Sequence, residues 1–227
     1  MTAVIHKSRL GTRGQPEQTR AAILQAAVRE FAREGIAGAR TDAIARGARV
    51  NKALLYYYFK DKEALYAAAL DHVFSQRNQR LLEVLRQAGA PKQRICNFVT
   101  AYFDYLAGNP AHRDLVQREM MRASRGDSPH ILRIAKRYIH PVYTEVAEVL
   151  REGIAAGEFR PVDPLHFVPS MIAVVIFYFS SAPVMRLVTQ EDPLAPERLA
   201  ERRAAVLDFV SAALMLPAAP LTQGAKW

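Results

Sequence analysis

The sequence predicts an all-α protein, with an N-terminal three-helix domain built on a helix-turn-helix and a larger helical domain after it. Three observations predict this. Apolar residues recur at i, i+3 and i+4 along nearly the whole chain, the period of a helix with one buried face. Alternating Val-Ile-Thr runs and Asn-Gly or Asp-Gly hairpin pairs are missing. Capping residues stand directly before prolines at Asn109-Pro110, Ser128-Pro129 and Asp163-Pro164, the pattern that opens helices.

The elements follow in order. Residues 1–16 are polar and basic and are expected to form a flexible arm. A first helix is expected over 17–34, where Ile23, Leu24, Ala27, Val28 and Phe31 share one face and Gly35 stops the helix. Thr41 is expected to cap a short second helix, with Asp42 at its positive end and Ile44 and Ala48 facing inward. Asn51 is expected to cap a third helix, and Asp61 a fourth that runs to about residue 87. Further helices are expected at 91–107, 110–124, 129–157, 164–188 and 196–216, with Pro141 kinking the third of these. In domains, this gives an arm at 1–16, a helix-turn-helix domain at 17–62, a C-terminal domain at 63–216 and a tail at 217–227.

Charge narrows the partners. The chain has 227 residues and a formal net charge of +9. Residues 1–62 hold twelve lysines and arginines against five acids, a net of +7. A basic excess confined to one end points to an acidic partner there, most often nucleic acid. Cys96 is the single cysteine, so no internal disulfide forms. The start lacks the apolar core of a signal peptide, and the expectation is a reducing cytoplasm. The segment "FVPSMIAVVIFYFSSAPVMRLV" at 167–188 is long enough to span a membrane, but Pro169, Pro183 and Arg186 interrupt it. It is read as a helix buried in a core or an oligomer interface, with no membrane partner.

The stretch "NKALLYYYFKDKEALYAAAL", residues 51–70, sets four aromatic rings in a row beside lysines. On a helical wheel Lys52, Ala53 and Tyr56 project to one side, with Tyr57 flanking them. Leu55 and Phe59 form an i, i+4 pair on the other side, bordered by Leu54 and Tyr58. One side anchors, and the other offers a cation, a small residue and phenols. A short helix, the turn "ARVN" and a helix of this kind fit a helix-turn-helix whose second helix enters a major groove about 12 Å wide. Ala53 lets the backbone come close to the bases. Lys52 reaches a guanine edge or a phosphate, and the tyrosine hydroxyls reach phosphates. Thr41 and Lys62 are further phosphate candidates.

The segment "TRAAILQAAVREFAREGIAGARTDAIARGARVNKALLYYYFKDKEALYAAAL" resembles the N-terminal domain of TetR-type transcriptional regulators. The resemblance rests on Ile23, Ala26, Phe31, Gly35, Thr41, Ile44-Ala45, Ala48, Val50, Leu55-Tyr56, Tyr58-Phe59, Lys62 and Leu65, and covers about residues 15–70. It implies a homodimeric, all-helical repressor of a palindromic double-stranded DNA operator, with a C-terminal domain that binds a small-molecule effector and dimerises. Its DNA contacts would fall on Arg40, Thr41, Asn51, Lys52, Ala53, Tyr56, Tyr57, Tyr58 and Lys62. The sequence departs from the pattern at Arg49, where the turn usually carries glycine, at Asn51, where serine or threonine is frequent, and at Leu54. Arg49 would have to tolerate a left-handed or strained conformation, or else the turn differs slightly.

For the C-terminal domain, five or so amphipathic helices should enclose one core with a pocket between them. Candidate lining residues are Tyr102, Phe103, Arg118, Glu119, Arg122, Tyr143, Phe177 and Tyr178. The competing reading makes the aromatics core, and Arg118, Glu119 and Arg122 a surface cluster of modest value. For dimerisation, Val168, Ile172, Val175, Ile176 and Phe179 could meet Leu199, Val206, Phe209, Val210 and Ala213 in a four-helix bundle.

No GxGxxG, P-loop or G-x-S-x-G sequence occurs, and the six histidines show no i, i+3 or i, i+4 pairing. The reading is therefore of a non-enzyme, with no cofactor and no metal. Two alternatives stay open: a ligand-binding helical dimer whose DNA role is lost or secondary, and a membrane-associated helical protein.

Overall fold

A computed structural model describes residues 16–215. The arm expected over 1–16, apart from Pro16, and the tail expected over 217–227 lie outside the described residues. Ten α-helical spans follow in order: α1 Pro16–Gly38, α2 Thr41–Gly47, α3 Lys52–Tyr58, α4 Lys62–Leu85, α5 Pro91–Gly108, α6 Pro110–Ser124, α7 Ile131–Ile134, α8 His140–Ala155, α9 Pro164–Thr189 and α10 Pro196–Leu214. A π-helical turn, Ala135–Ile139, joins α7 to α8.

Where the chain starts and stops its helices follows local chemistry. Asn51 Oδ1 accepts from Leu54 N at 2.7 Å, and Asp61 Oδ1 from Ala64 N at 2.7 Å, so both expected caps form. Asp163 caps α9 through Leu165 N at 2.8 Å. Gly35 leaves helical geometry (φ 67, ψ 175) and kinks α1, which resumes for a last turn instead of stopping.

Three expectations change. Arg40, not Thr41, occupies the N-cap of α2, and its N–H donates to Glu30 Oε1 at 3.2 Å. Ser128 does not open a helix at Pro129. Its hydroxyl donates to Glu119 instead, and α7 begins at Ile131. The helix expected over 129–157 is divided, and Pro141 stands in the first turn of α8: lacking an N–H, it cannot donate to the Arg137 carbonyl, and the wider π turn stands directly before it.

By packing, the chain forms two compact units. The first comprises the residues up to Arg77 together with Asn109–Tyr138. Its core gathers Ile23, Ala27 and Phe31 of α1, Ile44 of α2, Leu55 of α3 and Leu65, Leu70 and Phe74 of α4. Leu115, Ile134 and Tyr138 complete the same cluster. The Phe31 and Tyr66 rings meet edge to face at 5.0 Å.

The second unit comprises Asn78–Gly108 and the residues from Ile139 onward. Its core joins Phe98, Tyr102 and Phe103 of α5, Val146, Val149 and Leu150 of α8, Met171, Val175 and Phe179 of α9, and Val206, Val210 and Leu214 of α10. Gly153 of α8 lies against the ring of Phe159, so closely that an added Cβ would sit 2.1 Å from Phe159 Cδ2. Among the described residues α9 is the helix long and apolar enough to cross a membrane by length and composition, with 22% of its most apolar window buried.

Candidate nucleic-acid interface

The site is built on α3, which is held by its own apolar side. Leu55 is fully buried and Phe59, its C-cap, is 5% exposed. The Arg20 guanidinium lies 5.3 Å from the Phe59 ring centre, a cation–π contact that pins the same end. Val50 and Tyr58 pack at the edge of the core. With Leu55 and Phe59 inside, the 3.6-residue period turns Asn51, Lys52, Ala53, Tyr56 and Tyr57 outward, and all five are exposed. Tyr57 is 80% exposed, an unusual position for so large a ring in a monomer. Its ring meets Tyr58 edge to face at 5.3 Å.

The turn before α3 depends on Arg49, whose φ is 58°. The sequence departs from the usual glycine there, and the backbone keeps the left-handed conformation that a glycine would favour. The turn closes with Val50 N donating to Ala45 O at 3.0 Å.

Two contacts tie the outer face of α3 to α2. Thr41 Oγ1 and Tyr56 Oη lie 3.4 Å apart. Lys52 Nζ pairs with Asp42 at 3.2 Å, both side chains half exposed. Such an exposed pair contributes at most about 1 kcal/mol, so a phosphate or base edge can displace Asp42 from Lys52. Lys62 is more firmly committed. Its Nζ donates to the carbonyls of Ala37 at 3.3 Å and Ala39 at 3.4 Å, closing the end of α1 over the start of α4. Arg40 is exposed. Sequence reasoning passed over Arg46 and Lys60, both exposed and, like Arg49, without an ion pair among the described residues. The signal was the uneven charge, which counted these cations without placing them.

The eight residues considered for a pocket divide between the units. Arg118, Glu119 and Arg122 belong to the first unit, on α6, and are bonded there. Arg118 donates to the carbonyls of Ala32 and Arg33. Glu119 is no surface residue, having no exposure at all. It accepts from Tyr66 Oη at 2.9 Å, from Arg122 Nη1 at 3.2 Å and from Ser128 Oγ. Burial first, and then the Glu119 charge, push the Tyr66 phenol well above its usual range.

In the second unit Tyr102 and Phe103 are buried and Tyr143 packs against the core. Phe177 is exposed, and Tyr178 is half-buried beside it. Phe177 and Tyr178 line a cavity of about 330 Å³.

The interface candidates also separate. Val168, Val175, Phe179, Val206 and Val210 turn into the core of their own protomer, each 6% exposed or less. α9 is apolar all round, so its sequence does not tell an inner face from an outer one. Ile172, Leu199 and Ala213 are half-buried, while Ile176 and Phe209 are exposed. Val184, Leu187 and Val188 extend the exposed apolar surface of α9.

Comparison with known proteins places these features. Residues 23–69 match the family described as bacterial regulatory proteins, tetR family. Residues 91–210 match that described as tetracyclin repressor-like, C-terminal domain. The HTH-type transcriptional repressor NicS of Pseudomonas putida is 28% identical over 179 residues, covering 74% of this chain and 78% of that protein. The HTH-type transcriptional repressor SCO4008 of Streptomyces coelicolor is 35% identical over 142 residues, covering 63% of this chain and 68% of that protein. The structure of the ketosteroid transcriptional regulator KstR2 of Mycobacterium tuberculosis superposes with a TM-score of 0.69 at 21% identity. That match covers 92% of this chain and all of the other, and it speaks for the fold alone.

Proposed function

The chain belongs to the TetR family of bacterial regulatory proteins, and on that premise we propose how it works: a homodimeric transcriptional repressor that a small molecule releases from a palindromic operator. One observation carries the proposal. α3 buries Leu55 and Phe59 and turns Asn51, Lys52, Ala53, Tyr56 and Tyr57 outward. An anchored helix with a polar, aromatic and small outer face is what a major groove accepts.

In this reading Ala53 allows close approach to base edges, and Lys52 leaves Asp42 for a guanine or a phosphate. Tyr56, Tyr57 and Tyr58 contact phosphates and thymine methyls, with Tyr58 at the rim. Arg40 and Thr41 meet the backbone beside α2. Lys62, bonded to the Ala37 and Ala39 carbonyls, has one remaining donor for a phosphate. Two copies related by a two-fold axis place their α3 helices in half-sites about 34–36 Å apart, or at a related spacing.

The exposed Ile176 and Phe209, on α9 and α10, supply apolar surface for the dimer. An effector bound in the second unit lowers DNA affinity only through unequal affinity for two states of the protein. The working compartment is the cytoplasm, where the operator lies.

The test is fluorescence anisotropy with DNA from immediately upstream of the protein's own gene, across a salt series. Wild type is compared with Lys52→Ala, Tyr56→Phe and Tyr57→Ala. The expected result is sequence-selective binding that weakens steeply with salt and is reduced by all three substitutions. A folded dimer that fails to bind this DNA at low salt, or binds it no better than random DNA, would count against the reading.

A further inference from the structure

The cavity beside the C-terminal half of α9 holds a cation that the fold leaves unmatched. Phe177, Tyr178 and Met185 of α9 form one wall, and Arg198 and Arg202 of α10 another. Its volume, about 330 Å³, is at the lower end of the roughly 300–1,000 Å³ usual for small-molecule sites.

The two arginines differ. Arg198 is already neutralised: Nη2 lies 2.6 Å from Glu191, another lining residue, and Nη1 lies 2.8 Å from Glu201. Arg202 pairs with no carboxylate among the described residues. Its Nη2 donates to the Val174 carbonyl at 3.3 Å, and its guanidinium carbon stands 5.1 Å from the centre of the Tyr178 ring. Its Nε is buried and has no hydrogen-bond partner. That nitrogen is closed to a guest, whereas Nη1 makes no hydrogen bond among the described residues and is not sealed from solvent, so it is the donor left for one.

The Tyr178 hydroxyl donates to the Pro193 carbonyl, which ties the ring beside the guanidinium. Among the same lining residues Phe177 is 69% exposed and Met185 is 37% exposed, so the apolar part of the cavity is open to a guest.

We propose that this cavity is a binding site for a small organic carboxylate with a flat apolar body. The carboxylate docks on the Arg202 fork, and the body lies on Phe177 and Met185. A guanidinium fork matches carboxylate geometry, and the cation–π contact with Tyr178 helps to position it while leaving it without a carboxylate partner. The site stands apart from the DNA-reading proposal and holds whether or not occupancy changes operator affinity.

The test is isothermal titration calorimetry of the full chain, without DNA, using 2-naphthoate and the neutral 2-naphthalenemethanol as probes. Naphthoate is expected to bind one site per chain at least about tenfold more tightly than the alcohol, the margin of a charge-assisted contact. Arg202→Gln should remove about that tenfold preference and leave the alcohol unchanged. Arg202→Lys should keep part of it. Phe177→Ala alters an exposed ring that the fold does not need, and should weaken both probes. Circular dichroism of each variant verifies the fold. Absence of naphthoate binding, or binding indifferent to Arg202→Gln and Phe177→Ala, would overturn the proposal.

Discussion

Arg118 of α6 donates from Nε to the carbonyl oxygen of Ala32 in α1 at 2.7 Å, and its Nη2 reaches the next carbonyl, that of Arg33, at 2.8 Å. The Gly35 kink that follows interrupts the regular bonding of α1. A residue 86 positions away in sequence thus finishes the first helix. Arg118→Ala should destabilise the protein by about 1–3 kcal/mol, the usual worth of bonds from a charged donor. Arg118→Lys should recover only part, since an ammonium lacks the fork. Urea denaturation followed by circular dichroism measures both.

Glu119 presents the larger effect. It is fully buried, and three donors from Tyr66, Arg122 and Ser128 converge on it. Removing the carboxyl leaves the Tyr66 hydroxyl without its acceptor and Arg122 without its carboxylate, though Arg122 keeps its bond to the Asp127 carbonyl. Glu119→Ala should therefore be destabilising by about 3–5 kcal/mol, as for other broken buried pairs. Glu119→Gln, which keeps shape and acceptor, should lose less. The same urea midpoints decide.

Arg49 sits at φ 58° with its side chain exposed. The left-handed conformation is unfavourable by about 1–2 kcal/mol for a residue with a Cβ, and the extra freedom of an unfolded glycine offsets about 0.5–1 kcal/mol of that. Arg49→Gly should thus raise stability slightly, by under about 1 kcal/mol. It should also reduce the salt slope of DNA binding by up to about 0.9 if the cation neutralises one phosphate. A variant that is stabler but less salt-sensitive is the expected pairing, read from urea midpoints and anisotropy.

Gly153 tests packing against propensity. In an open helix Gly→Ala would stabilise by about 0.8–1 kcal/mol. Here the added Cβ would fall 2.1–2.2 Å from two carbons of the buried Phe159 ring. Overpacking of this kind usually destabilises by about 1–3 kcal/mol, which outweighs the propensity gain. Thermal melting of Gly153→Ala should show a lower Tm, and Phe159→Leu in the same chain should restore part of it.

His72 of α4 and His112 of α6 have ring centres 6.3 Å apart. Burial, with Arg20 as the second cause at His72 and His72 itself at His112, holds both below the ordinary imidazole value of 6.5. The unfolded chain therefore takes up these protons near pH 6.5, and the folded chain only at lower pH. Their contribution to stability is complete above pH 6.5 and is lost as pH falls through the lowered values. Tm should drop between pH 7.5 and 5, and His72→Gln with His112→Gln should flatten that dependence.

How much of this was legible in the sequence depends on range. The caps at Asn51, Asp61 and Asp163 act over two or three residues, and each forms as the residue types dictate. The two sides of α3 were legible because Leu55 and Phe59 repeat at helical spacing. The αL turn at Arg49 was one of two outcomes that the family resemblance left open, and the backbone takes it. The rest hinges on partners distant in sequence. Glu30 meets Arg40 N, so the cap of α2 shifts by one residue. Ser128 turns to Glu119 in place of capping a helix. The inner face of α9 is chosen by α5, α8 and α10, and a helix apolar on every side carries no record of that choice.

The first packing unit is discontinuous in sequence, and this has a consequence for synthesis. Chains emerge from the ribosome N-terminus first, at about 5–20 residues per second. When Arg77 has emerged, the helix-turn-helix segment is present, but Leu115, Ile134 and Tyr138, which close its core, are not. The nascent head must wait through Asn78–Gly108, a stretch that belongs to the other unit, before its own last core residues arrive. Until Tyr138 is made, a growing chain carries all of α3 without the finished core that α3 stands on. The core on which α3 stands is thus complete only once more than half of the polypeptide exists.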